Sequence, residues 1–171
     1  RACAGEPVYT VDCNGGGDCR AVQECSDALP PKPDGWRTVR ILPGTYREKV
    51  TLDVYKDRVR IVGAGGAEQV RIVWDDHTGK VVDGHEMTTY DTWTMSLQAD
   101  DVVLEGVTGE NDAGRVGQAV ARETRGDRIW IDGCRLVGDQ DTRLAGQRHR
   151  DHDALAHAAG KLKRVLLDAL C

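Results

Sequence analysis

A six-residue pattern recurs three times along the chain and constrains the fold more than any other feature. It reads charged, apolar, any, apolar, any, glycine, and its copies span residues 58–63, 101–106 and 128–133. The copies begin 43 and 27 residues apart, and internal repeats at such spacings are typical of solenoids. Short strands with little helix between them favour the coils of a parallel β-helix. An ordinary β-sandwich whose strands are similar by coincidence is the alternative.

Other parts of the chain also have the short alternating apolar pattern of strands. Such segments lie at 38–42, 50–52 and 70–74. Residues 75–91 are polar and carry no strong period, so we expect a long loop that projects from the solenoid. Stacked coils should therefore span 38–144, with Val59 pointing inward beside Val102 and Ile129, and Ile61 beside Leu104 and Ile131.

A short helix is predicted before the first coil, over residues 21–29. Asp18 is placed to cap its start, and Pro30 and Pro31 end it. Such a helix would cover the open end of the apolar stack, as terminal caps do in repeat proteins.

The chain changes character after about residue 150. Residues 153–171 place Leu155, Leu162 and Leu166 on one helical face, which predicts a tail helix. We expect two parts, a β-helix domain over 1–150 and a helical tail over 151–171 that folds back onto the coil containing 129–136.

Composition narrows the function classes. The net charge of -5 argues against a nucleic-acid binder, which needs basic groups for phosphate contacts. No stretch has the roughly 20 apolar residues of a membrane span, so no membrane partner is expected. Phe is absent and aromatic residues make up 5%, so the core must be built from Val, Ile, Leu and Ala with four Trp.

The chain has six cysteines, which indicate whether it works in an oxidising or a reducing compartment. Four lie within the first 25 residues, and an oxidising environment would let some of them pair. No pair has the C-x-x-C spacing of zinc or redox sites. The pattern favours secretion over a set of buried or idle thiols, although Cys134 fits the second description.

Two glutamines and one aspartate are the candidate chemical groups. Gln118 and Gln140 lie 22 residues apart, about one turn of a β-helix, so their amides could stack with Asp141 beside them. Stacked amides donate to a developing oxyanion, and a shielded carboxyl holds a proton for a leaving group. Such a set suits acyl transfer on an ester. Gln and Asp ladders also occur in solenoids for structural reasons alone.

A series of segments resembles the pectin methylesterases, also called pectinesterases. The matching segments, in order, are GGGD at 15–18 with VQE at 22–24, PGTYREKV at 43–50, NDAG at 111–114 with GQAVA at 117–121, GDR at 126–128, and CRLVG at 134–138 with QDT at 140–142. They resemble the family's GGGDF-x-TVQEA, PG-x-YREKV, ND-AG and GQAVA, GDR, and CRFLG-x-QDT. The resemblance covers about residues 8–146, and five matches in order are specific.

The resemblance implies a right-handed parallel β-helix that hydrolyses the methyl esters of polygalacturonate without metal or cofactor. It also implies pectin as the partner and a secreted, extracellular or cell-wall protein. By motif, Asp141 takes the acid/base role, and Gln118 and Gln140 take the oxyanion and binding roles. Residues 88–94 resemble the family's GTF-x-SAT, which places a substrate-contacting threonine at Thr89.

One departure from the family bears on activity. The nucleophilic aspartate belongs in a segment resembling DFIFG about one coil after Asp141, near Leu162, where this chain has KLKRV at 161–165. The family's later LGRPW segment has no counterpart, and the resemblance stops near 146. We therefore assign no nucleophile and expect very weak or no ester hydrolysis. A catalytically silent pectin-binding β-helix, or an interaction scaffold, is the alternative.

Overall fold

The computed structural model describes residues 6–32 and 34–138. In chain order they form β1 (Val8–Val11), α1 (Val22–Ala28), β2 (Arg37–Ile41), β3 (Gly44–Arg47), β4 (Val50–Leu52), β5 (Val59–Gly63), β6 (Val70–Trp74), β7 (Val81–Val82), β8 (His85–Glu86), a 3-10 helix (Thr89–Asp91), β9 (Trp93–Leu97), β10 (Val102–Glu105), β11 (Thr108–Asn111), β12 (Val120–Thr124), β13 (Ile129–Asp132) and β14 (Arg135–Gly138).

All strands except β7 and β8 belong to three parallel sheets. The strand order is β1-β2-β5-β10-β13 in the first sheet, β3-β6-β11-β14 in the second and β4-β9-β12 in the third. Three circuits of the chain, β2–β3–β4, β5–β6–β9 and β10–β11–β12, contribute one strand to each sheet. Strand β1 extends only the first sheet, and β13 and β14 extend the first and the second. Every pairing between circuits is parallel. These are the coils of a parallel β-helix, as predicted, and the sandwich alternative is wrong.

The three sequence repeats stack in the predicted register. Val102 pairs with Val59 on one side and with Ile129 on the other, and Leu104 pairs with Ile61 and Ile131 in the same way. The residues of the first two copies are buried, and those of the third are partly buried against the same core. The coils predicted for 38–144 are confirmed as far as residue 138, and the rest of that range lies outside the described residues.

The charged residue that opens each repeat is a turn residue. Arg58, Asp101 and Arg128 all adopt the left-handed conformation, with φ of 56°, 54° and 55°. This conformation costs a non-glycine residue roughly 1–2 kcal/mol. Asp101 and Arg128 are joined across the coils, since the Asp101 carboxylate accepts hydrogen bonds from Arg128 Nε at 2.5 Å and from Nη2 at 3.1 Å.

One aspartate per coil, just before this turn, forms a ladder along the solenoid. The Asp57 carboxylate accepts the backbone N–H of Asp100 at 3.1 Å. The Asp100 carboxylate in turn accepts the backbone N–H of Asp127 at 2.7 Å. Each carboxylate therefore binds the equivalent residue of the following coil, and the ladder has one direction.

The predicted N-terminal helix is present within one residue at each end, but its cap is not the predicted one. Its buried residues Val22 and Cys25 belong to the core cluster, so the helix covers the first coil. The Asp18 carboxylate instead accepts the backbone N–H of Thr10 at 2.7 Å. The helix N–H groups of Val22 and Gln23 donate to the carboxylate of Glu48, at 2.7 and 2.8 Å.

We expect Glu48→Ala to lower the free energy of unfolding by about 1–2 kcal/mol, because it removes a charged cap from two helix N–H groups. Urea unfolding monitored by circular dichroism measures this. Glu48→Gln keeps an acceptor oxygen and should lose about half as much. An Ala variant as stable as the parent would contradict the capping role.

The polar segment 75–91 has more structure than predicted. β7 and β8 pair as an antiparallel hairpin, and Asp83 and Gly84 form its turn with φ of 51° and 79°. An Asp-Gly pair between strands is a strong hairpin signal, so the sequence contained the information. The segment, called the site loop below, connects β6 of the second sheet to β9 of the third.

The cysteines are partly paired. Cys19 and Cys25 form a disulfide, whereas Cys13 is an exposed free thiol and Cys134 a half-buried one. Burial raises the pKa of the Cys134 thiol, so this group stays protonated and inert. Within residues 6–32 and 34–138, no helix is long and apolar enough to cross a membrane. The predicted tail helix and the division at residue 150 lie outside the described residues and stay predictions.

Candidate active site

The structure brings Gln118 and Thr89 into direct contact. Gln118 is exposed, in the connection between β11 and β12, and Thr89 begins the 3-10 helix of the site loop. The Thr89 hydroxyl donates to Gln118 Oε1 at 3.0 Å and lies 3.0 Å from the Thr78 hydroxyl. The Thr78 backbone N–H donates to the Gln118 carbonyl at 2.8 Å. Both ends of the site loop therefore hold this glutamine.

The contact also fixes which end of the amide faces a ligand. Because Thr89 occupies Oε1, the Nε2 group of Gln118 is the part left to donate to a ligand. A donor held in place before the reaction is what an oxyanion site requires. The arrangement therefore suits the role that the motif resemblance implies for Gln118.

Gly117 is required for this close approach. A side chain there would place its Cβ 2.5 Å from the Thr78 carbonyl oxygen and 3.2 Å from His77 Nδ1. Only glycine lets the backbone of Gln118 lie against Thr78 in this way. The glycine of the GQAVA motif thus has a local structural reason.

Thr89 is itself held by the end of its own helix. The Asp91 carboxylate accepts the Thr88 backbone N–H at 3.1 Å and the Thr88 hydroxyl at 2.7 Å. These hydrogen bonds lower the pKa of Asp91. The Thr92 hydroxyl donates to the Thr89 carbonyl at 2.9 Å. The turn that presents the Thr89 hydroxyl is therefore bonded at both of its ends.

A buried carboxylate lies at the start of the site loop. Asp76 has a side chain that is 4% exposed, and it binds Lys49 Nζ at 2.8 Å and Lys80 Nζ at 2.9 Å. Burial alone would raise the pKa of Asp76, but hydrogen bonds from the two ammonium groups outweigh it and hold the pKa below its usual value. Asp76 is thus an ionised structural group.

Sequence reasoning did not assign a supporting role to the residues around Gln118. They are Thr78, Asp76, Lys49 and Asn111, whose buried amide donates to the carbonyl oxygens of Asp76 and Thr92 at 2.8 and 3.0 Å. Lys49 and Asn111 stood in matched motifs, PGTYREKV and NDAG, and this was the available signal. Another residue of the first motif, Arg47, joins Asp75 at 3.2 Å and Asp112 at 2.8 Å, so the two motifs contact each other.

The remaining predicted site residues lie beyond the described part of the chain. These are Gln140 and Asp141, so the predicted convergence of Gln118, Gln140, Asp141 and Thr89 stays a prediction. No group of three or more His, Cys, Asp or Glu side chains suited to a metal ion occurs in residues 6–32 and 34–138. Asp75 and Asp76, adjacent acids in the site loop, are instead bound by lysines.

Together the coils and this amide-and-hydroxyl surface define a parallel β-helix protein with a preformed polar site. The family model for Pectinesterase matches residues 8–160. The chain therefore belongs to the pectinesterase family. Curated relatives include Pectinesterase QRT1 of Arabidopsis thaliana, 37% identical over 142 residues, which cover 79% of this chain and 37% of that protein. Probable pectinesterase/pectinesterase inhibitor 13 of the same plant is 31% identical over 96% of this chain and 26% of its own length.

Solved structures agree on the fold. Pectin methylesterase from carrot has a TM-score of 0.69 and 26% identity, covering 80% of this chain and 43% of that one. Pectin methylesterase PemA from Erwinia chrysanthemi has a TM-score of 0.64 and 18% identity, covering 80% and 46%. The structural agreement therefore extends across the described coils.

The matches differ from the motif series in extent. The family match runs to residue 160, further than the limit of about 146 that the motifs indicated. The chain spans less than two fifths of the length of the curated pectinesterases QRT1 and 49.

Proposed function

We propose that this chain binds methyl-esterified polygalacturonate across the surface around Gln118 and supplies the oxyanion and acid/base groups of a pectinesterase site. The observation that carries the proposal is the Thr89–Gln118 hydrogen bond at 3.0 Å, which orients an exposed amide donor. Membership of the pectinesterase family supplies the substrate class. No cofactor or metal is assigned.

The other two groups follow the last described strand in the sequence. Gly138, the end of β14, pairs with Asn111 of the coil that carries Gln118. Gln140 and Asp141 follow Gly138 by two and three residues. Their roles rest on the motif resemblance: Gln140 supplies a second amide for the oxyanion, and Asp141 protonates the departing methoxy group.

The chemistry follows from these roles. In the family's reaction an aspartate attacks the ester carbonyl, and the amides hold the oxyanion that forms. Here Asp141 alone takes a proton from water as the water oxygen adds to the carbonyl. The tetrahedral oxyanion, bound by Gln118 and Gln140, then expels methoxide, which takes the proton from Asp141 and leaves as methanol.

Hydrolysis by this route is slow. The position near Leu162 where the family carries its nucleophile reads KLKRV, and loss of one member of a catalytic unit commonly removes several orders of magnitude of rate. Binding and oxyanion contacts leave a residual rate. The same observation favours a second candidate function. In it the β-helix binds pectin or interacts with another protein and does not catalyse ester hydrolysis.

Methanol release from methylated pectin, measured beside pectin binding, tests the proposal. We expect release at least about a thousandfold below a pectinesterase that has its nucleophile, with binding retained. Asp141→Asn should abolish the residual release and leave binding intact. Gln118→Ala should weaken binding of the methylated polymer.

Each other outcome has a definite meaning. Fast turnover that Asp141→Asn abolishes would show that a nucleophile exists elsewhere, with Asp151, Asp153 and Asp168 the next residues to replace. Absent turnover with binding would favour the silent-binder function. Absent binding and turnover would overturn the proposal.

We also propose that the chain is secreted and acts outside the cell, either in the plant cell wall or as part of microbial pectin degradation. The Cys19–Cys25 disulfide supports this, because such bonds persist in oxidising compartments. Labelling with a thiol reagent before and after reduction checks it: protein isolated from its natural source should gain two reactive thiols from this pair.

A further inference from the structure

We propose that Lys49 and Asn111 form a loop clamp that positions Gln118. Of the two, Lys49 is the residue on which the orientation of the Gln118 amide depends. The inference rests on the proposed function for its ligand, methyl-esterified polygalacturonate. It concerns positioning residues, which act on Gln118 through the site loop.

The first step is that each clamp residue holds both ends of the site loop. Lys49 Nζ donates to the Asp76 carboxylate at 2.8 Å and to the backbone carbonyl of Asp91. Asn111 donates to the carbonyls of Asp76 and Thr92. The entry and exit of the site loop are thus joined twice, by side chains from outside it.

The second step is where the clamp residues come from. Lys49 lies between β3 and β4, on the coil before the site loop, and Asn111 ends β11, on the coil after it. A long loop on the middle coil is therefore fixed to both neighbouring coils. Lys49 also lies 4.4 Å from the Trp93 ring centroid, where β9 continues the chain after the loop. A cation over an aromatic face is attracted to it, and this adds a third point of attachment.

The third step connects the clamp to Gln118. Thr78 lies two residues after Asp76, and Thr89 two before Asp91. These are the residues that hold the Gln118 carbonyl and Oε1. If the two loop ends separate, Thr78 and Thr89 separate with them, and the Gln118 amide loses its orientation.

The chain contains a matched control. Lys80 binds the same Asp76 carboxylate at 2.9 Å, and Asp75 at 2.9 Å. It therefore supplies the same charge to the loop entry but makes no bond to Asp91. Comparing Lys49→Met with Lys80→Met separates clamping of the two ends from neutralisation of a buried acid.

The experiment measures amide hydrogen exchange by NMR and the affinity for a methylated galacturonan oligosaccharide. In Lys49→Met we expect the Thr78 amide to exchange about tenfold faster, the Gln118 side-chain amide signals to broaden, and affinity to fall about tenfold. Protection in β5 and β10 should not change, which shows that the coils are intact. Lys80→Met should change exchange and affinity less than about threefold.

Equal changes in the two lysine variants, or an unchanged Thr78 amide in Lys49→Met, would overturn the clamp. If Lys49→Met does not fold, the double variant Lys49→Met/Asp76→Asn replaces it. The second substitution removes the buried Asp76 carboxylate, which has lost one of its two ammonium partners. The same measurements then apply. If the parent chain binds no galacturonan, the proposed function is wrong but the clamp is not. The hydrogen-exchange results then test the clamp by themselves.

Discussion

Gly63→Ala should destabilise the protein by about 3 kcal/mol or more, since the new methyl group has nowhere to go. A Cβ at this position would lie 2.0 Å from the backbone carbonyl oxygen of Gly106 on the next coil and 3.2 Å from Val70 Cβ. The obstacle is backbone, so no side-chain rotation relieves it. Urea unfolding monitored by circular dichroism gives the change in free energy.

Gly35→Ala is the control for this substitution. Nothing lies within 4 Å of a Cβ built there, so the variant should match the parent or gain up to about 1 kcal/mol from lower unfolded-state entropy. If Gly63→Ala is no less stable than Gly35→Ala, the close approach of the coils described here is wrong.

Acid should destabilise the protein through Asp76. Its folded pKa lies below the ordinary 3.8, because two ammonium groups outweigh burial. The folded state therefore favours the ionised form of Asp76. Its contribution to the free energy of unfolding is fully present above pH 3.8, and it is lost as the pH falls through the lower pKa of the folded state. Asp75, Asp91 and Asp101, whose pKa values are also lowered, act in the same direction.

The test compares Asp76→Asn with the parent from pH 7 down to about pH 2.5. At pH 7 the variant should be less stable by about 3–5 kcal/mol, since it leaves Lys49 and Lys80 short of a buried partner. The difference should shrink on acidification, because the parent then loses the same charge. Asp34→Asn, which changes an exposed carboxylate, should follow the parent throughout. A gap that stays constant with pH would contradict the assignment.

The coil register could be predicted because it depends on a periodic signal. Apolar residues two apart in each repeat must face one core, so Val59, Val102 and Ile129 align wherever the coils stack. Helix α1 was predictable from a different signal, because Pro30 and Pro31 mark its end. Its cap was not, because capping signals are local in sequence whereas Glu48 reaches the helix from 26 residues away.

The site was predictable only where a motif marked it. Gln118 was identified by its spacing from Gln140 and by resemblance, and Thr89 by resemblance alone. Their contact depends on a 17-residue loop whose path no periodicity fixes. The pairing of Lys49 with Asp76 spans 27 residues and two coils. Long-range polar contacts of this kind depend on the exact length of each coil, and here coil length varies because the site loop is inserted in one coil alone.

The aspartate ladder has a consequence for how the chain acquires its structure during synthesis. Asp57 presents its acceptor to Asp100, and Asp100 presents its own to Asp127, always toward residues made later. A coil that has formed therefore offers a carboxylate acceptor to the backbone of the coil that follows it. A displaced coil would misplace the acceptor for the next one.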